Sequence, residues 1–66
     1  MDARKIGERL IEARGDKSQN EVVEAVNISP SALSMYENGE RIPRDDIKER
    51  LASYYKTTVQ ELFYAD

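Results

Sequence analysis

Residues 19–38, QNEVVEAVNISPSALSMYEN, read as two short helices joined by a tight turn. Ser18-Gln19-Asn20-Glu21 has the capping-box pattern, in which the serine hydroxyl and the glutamate carboxylate each satisfy an amide left unpaired at a helix start. Val22, Val23 and Val26 follow at helical spacing, which predicts a helix over about Gln19 to Val26. Asn27 then stands where the chain must turn sharply, and asparagine tolerates the left-handed conformation better than any residue except glycine. Ser29-Pro30 restarts the helix, serine as cap and proline preorganised for the first helical position. That helix is expected to run to about Asn38, with Leu33 and Tyr36 on its inner face and Gly39 ending it.

Outward from this pair, Ile6, Leu10 and Ala13 mark a first helix over about Ala3 to Arg14, capped by Asp2 and ended at Gly15-Asp16. Downstream, Ile42-Pro43 forces an extended connection. Ile47, Leu51 and Ala52 mark a fourth helix from about Arg44 to Tyr55, with Asp45 and Asp46 suited to its positive N-terminus. A second capping box, Thr58-Val59-Gln60-Glu61, opens a short fifth helix whose Val59, Leu62 and Phe63 close the core. No repeat, linker or low-complexity segment interrupts the chain. The expectation is an all-α, five-helix single domain over residues 1–66, with its core at about 6–64.

The 66 residues leave room for one hydrophobic core. With no cysteine there is neither a disulfide nor a thiolate metal site, and with no histidine the commonest general base and metal ligand is missing. No metal, no cofactor and no enzymatic activity are therefore expected. The N-terminus MDARKIGERL lacks the apolar run of an export signal, and apolar runs elsewhere are too short to span a bilayer, so a cytoplasmic, membrane-free protein is expected. The net charge of −3 argues mildly against nucleic acid. Its distribution counts for more: acids crowd Glu8 to Glu12, Glu21 to Glu24 and Asp45-Asp46, whereas Ser29 to Met35 is uncharged and is followed by Arg41 and Arg44.

Two helices joined in this way form a unit that enters the DNA major groove. Together with IGERL near the start, SQ opening the second helix, IS-x-S-x-L-S-x-YENG across the third, the following R-x-P and the closing V-Q-E-L-F, the chain resembles the lambda-repressor-like, Cro-type regulators of bacteria and phages, the xenobiotic-response-element family. The resemblance covers about Ile6 to Tyr64. Val23 and Asn27 depart from the family's usual alanine and glycine, and the RGDK loop before the second helix is shorter than usual.

The resemblance implies that Pro30, Ser31, Ser34 and Met35 face base edges, the alternative being a merely solvated polar face. Serine hydroxyls and a methionine lack the bidentate pairing of Arg, Asn and Gln, so direct readout is expected to be modest and DNA shape to carry part of the specificity. Lys17, Gln19, Ser29, Asn38, Arg41 and Arg44 are implied phosphate contacts. Glu37 is paired in the family with an arginine of the first helix; Arg14 is the candidate here, against two separately solvated charges. Thr57, Val59 and Tyr64 are candidates for a dimer contact.

The function implied is sequence-specific binding of double-stranded DNA by a transcriptional regulator, a repressor acting as a homodimer on a two-fold symmetric operator. The alternative is a protein-interaction module on the same scaffold, antitoxin- or antirepressor-like, with its acidic surface toward a protein partner.

Overall fold

The computed structural model describes residues 2–65, which form five helical segments and no strand. They are α1 (Ala3–Arg14), α2 (Gln19–Val26), α3 (Pro30–Glu37), α4 (Asp45–Tyr54) and a π-helical terminal segment, Gln60–Tyr64, labelled α5. The caps are those that the sequence signals. Asp2 Oδ1 accepts from the Arg4 N–H at 2.9 Å, Ser18 Oγ from Glu21 and Ser29 Oγ from Ala32, both at 3.1 Å. Asn27 lies in the left-handed region at φ 63°, ψ 56°, and its N–H closes α2 on the Val23 carbonyl at 2.9 Å.

Several local details differ from the expectation. Asn38 and Tyr55 cap α3 and α4 rather than extending them, and Arg44 is the N-cap of α4. Of the two capping boxes only the hydroxyl halves form among the described residues: the Glu61 carboxylate accepts from the Thr57 and Thr58 hydroxyls, at 3.5 and 3.4 Å. Thr58 Oγ1 does accept from the Glu61 N–H at 3.1 Å, but the helix behind it is wound wider than an α-helix.

α1 packs against α3 and α5, and α2 packs against α3 and α4. All five meet in one core, in which Ile6, Leu10, Val22, Leu33, Leu51 and Phe63 are fully buried. Val23 and Leu33 are both accommodated at the crossing of α2 and α3, so the larger residue in α2 is absorbed without exposing either. At the crossing of α1 and α3, the backbone of Gly7 lies against the backbone of Tyr36 and Glu37, so close that a side-chain carbon at Gly7 would overlap the Glu37 carbonyl.

Two charged side chains complete the frame. Arg50, on α4, reaches the carbonyls at the end of α2, donating to Val26 at 3.3 Å and Asn27 at 3.4 Å, where a helix end has acceptors to spare. Lys48 is buried, with its ammonium 3.0 Å from the Tyr64 hydroxyl and over the faces of Tyr64 and Phe63, which ties α5 to α4. Donation to Tyr64 raises the Lys48 pKa, and burial opposes it.

Candidate nucleic-acid interface

The outer face of α3 follows from what its inner face must do. Leu33 and Tyr36 turn into the core, which leaves Pro30 and Ser31 exposed and Ser34 and Met35 half-buried beside them. The hydrogen bonds that shape the helix lie elsewhere: in the Ser29 cap, and in the amides of Asn38 and Glu40, which donate to Ser34 and Met35 carbonyls at 2.9 and 2.8 Å. Gly39, at φ 76°, makes that exit, and a side chain there would press on Arg4 of α1. Asn38 leans back on this face, its Nδ2 3.5 Å from Ser34 Oγ. Arg41 and Arg44 follow as exposed, extended-chain residues, with an exposed acid, Glu40, just before them.

On the other flank stand Lys17, exposed, and Gln19, half-buried as the first residue of α2. The Gln19 side chain is not free: its Nε2 donates to Glu37 Oε1 at 2.8 Å. Arg14 grips the same carboxylate through Nε at 2.8 Å and Nη2 at 3.1 Å, and its Nη1 reaches the Lys17 carbonyl at 2.9 Å. The expected pair of Arg14 and Glu37 therefore forms, across the shortened loop, with Gln19 as a second donor. The Glu37 side chain is only 2% exposed, so this is an ion pair shielded from water rather than two solvated charges. Donation to Glu37 raises the Arg14 pKa against an opposing effect of burial.

Beneath this pair is Tyr55, whose buried hydroxyl has no hydrogen-bond partner among the described residues. Burial, and secondly the negative charge of Glu37, push its pKa up from 10.0 to about 12, with Arg14 pulling the other way. An acid with a raised folded pKa holds its proton after the unfolded chain has lost it. Stability is then unaffected below pH 10 and falls between about pH 10 and 12. Tyr55→Phe is expected to flatten that part of a denaturation-versus-pH curve and to leave stability at pH 7 unchanged or slightly higher, since no bond is lost. An unaltered alkaline slope in the variant would rule this account out.

Of the candidate dimer residues, Thr57 and Val59 are half-buried, and Tyr64 is 45% exposed while its hydroxyl accepts from Lys48. Among the described residues no group of three His, Cys, Asp or Glu is placed to hold a metal ion, and no helix is long and apolar enough to cross a membrane. Sequence reasoning missed the contact of Gln19 with Glu37 and the burial of Lys48. For Lys48 the signal was available, because 47, 48, 51 and 52 make one helical stripe.

The helix-turn-helix family model matches residues 8–62. Among solved structures, the crystal structure of the clp gene regulator ClgR from Corynebacterium glutamicum superposes with a TM-score of 0.84 at 23% identity, covering 94% of this chain and 68% of that one. At that identity the likeness is one of fold. No curated protein matches the chain.

Proposed function

Because the chain belongs to the Cro-type helix-turn-helix family, whose members are DNA-binding regulators of transcription, we propose that it docks α3 in the major groove of a double-stranded operator. Pro30, Ser31, Ser34 and Met35 meet base edges, and Lys17, Gln19, Ser29, Asn38, Arg41 and Arg44 hold backbone phosphates on either side. The observation that supports this best is the outer face of α3: uncharged from Ser29 to Met35, open to solvent at its start, and flanked by exposed cations at Lys17, Arg41 and Arg44. The exposed acids Asp16, Glu40, Asp45 and Asp46 adjoin these cations, so the charge-free stretch from Ser29 to Met35, rather than a net positive field, is what suits this side to a phosphate backbone.

One copy spans few base pairs, so two copies on a two-fold symmetric operator gain affinity and specificity by doubling the contacts. Thr57, Val59 and the exposed ring of Tyr64 are the proposed contact between them, and occupancy of a promoter by such a dimer represses it. Selection of duplexes from a randomised library, followed by binding across a salt series, tests the reading. Recovery of a palindromic motif with salt-dependent affinity supports it.

Absence of binding at low salt favours a protein partner instead. The groove between α2 and α4, with Ala25, Val26 and Tyr54 in its lining and Asp45, Asp46 and Glu49 among its acids, is the surface that favours that second reading.

The arginines after α3 give a separate prediction. Arg41→Ala or Arg44→Ala is expected to weaken every duplex by a similar factor and to lower the slope of log affinity against log salt by about 1 each. A loss confined to one sequence would show that the residue reads bases, not phosphates.

A further inference from the structure

The Gln19 side chain is held more firmly than a solvated residue at a helix start requires. Its Nε2 lies 2.8 Å from Glu37 Oε1, and the carboxylate is itself fixed by two bonds from Arg14, at 2.8 and 3.1 Å. We propose that Glu37 is the positioning residue of the phosphate clasp: through the bond from Gln19 Nε2 to Glu37 Oε1 it sets which way the Gln19 amide faces, and so presents its second amide proton to a DNA phosphate. This rests on Gln19 being a phosphate contact, as proposed above.

A primary amide has a donor end and an acceptor end of nearly the same shape, and either can be turned outward. Phosphate oxygens accept only from donors, so an amide oxygen turned toward them repels. An ionised carboxylate likewise only accepts. Glu37 therefore takes the nitrogen end of Gln19 and rejects the oxygen end, which keeps the second amide proton, and not the oxygen, on the side of the side chain next to Glu37, where the proposed phosphate lies. Arg14, anchored also on the Lys17 carbonyl, holds the carboxylate in place for this. Preorganisation of this kind raises affinity by removing the ordering cost from the binding step.

Sign separates this role from a plain charge effect. A carboxylate near DNA repels phosphate, so neutralising Glu37 should tighten binding if charge were its only influence. As a positioning residue its neutralisation should weaken binding. Glu37→Gln keeps the shape but can offer Gln19 either an oxygen or an NH2 group, and so loses the selection. The test is fluorescence anisotropy with the tightest duplex recovered from the randomised library, using wild type, Gln19→Ala, Glu37→Gln and the double variant.

Each single variant is expected to lose about fivefold in affinity, and Glu37→Gln to cause no further loss once Gln19 is alanine. Equal losses from Glu37→Gln in both backgrounds, or a gain in both, overturn the proposal while leaving Gln19 as a phosphate contact. Wild-type affinity in Gln19→Ala instead removes the contact itself, and the proposal with it. If Glu37→Gln does not fold, Glu37→Asp, which keeps the charge on a shorter arm, takes its place in the cycle with the same expectation. In the free protein, NMR is expected to show one Gln19 side-chain amide proton shifted downfield and slow to exchange, and to lose that signature in the Glu37 variant. Exchange at the rate of a solvated glutamine in wild type overturns the proposal as well.

Discussion

Gly7→Ala is expected to lower the unfolding free energy by about 3 kcal/mol. Helix propensity alone argues for the opposite sign, since alanine inside a helix is favoured over glycine by about 1 kcal/mol. The contact decides. A methyl group at Gly7 would overlap the Glu37 carbonyl oxygen and lie 3.0 Å from the Glu37 carbonyl carbon and the Tyr36 oxygen. These are backbone atoms of the last turn of α3, which cannot rotate aside as a side-chain end can. Relief requires α1 and α3 to move apart, which loosens Ile6 and Leu10 in the core. Urea denaturation measures the effect directly, and an alanine variant as stable as wild type would refute the close crossing.

The second large effect concerns the shielded ion pair. Arg14→Ala leaves the Glu37 carboxylate, 2% exposed, with Gln19 as its remaining side-chain donor. Removing one partner of such a pair costs about 3 kcal/mol, because the surviving charge stays buried without its counterion. The comparison lies on α4, where Asp46 and Arg50 form a pair at 3.3 Å with both side chains about half exposed. Asp46→Ala should change stability by about 0.5 kcal/mol or less. Replacing Arg14 and Glu37 together by methionine is expected to recover most of the loss, since apolar residues of similar volume carry no desolvation penalty. Chemical denaturation at neutral pH distinguishes these cases; a loss below about 1 kcal/mol for Arg14→Ala would show that water reaches the carboxylate.

The parts of this fold that were legible in the sequence are those written in short-range code. Ser18, Ser29 and Asn27 each act on amides or carbonyls within four residues, so their caps and turn could be read from spacing alone. Both ends of α2 and the start of α3 followed from them. What lay outside that code is long-range or lacks a residue signature. Gln19 meets Glu37 across 18 positions, and no periodicity links the start of one helix to the end of another. Lys56 adopts φ 58° after α4, a position where glycine or asparagine is the usual signal. It is held there by the Thr57 N–H on the Ala52 carbonyl at 2.9 Å. Gly7 stood in plain view within a helix, but a glycine does not say which neighbour comes close.

The hydrogen bonds that frame α3 come from its cap, its exit turn and the buried Glu37, while the side chains of Pro30, Ser31, Ser34 and Met35 carry none of that duty beyond the long contact of Ser34 with Asn38. Scaffold and vocabulary are therefore written on different residues. Under the proposed docking, a lineage can exchange side chains on the outer face of α3, and with them the operator it would answer to, while the caps and exit turn that present them are kept. Duplicated copies of such a gene would then be free to diverge toward separate targets by a handful of substitutions, the mildest for folding at exposed Ser31.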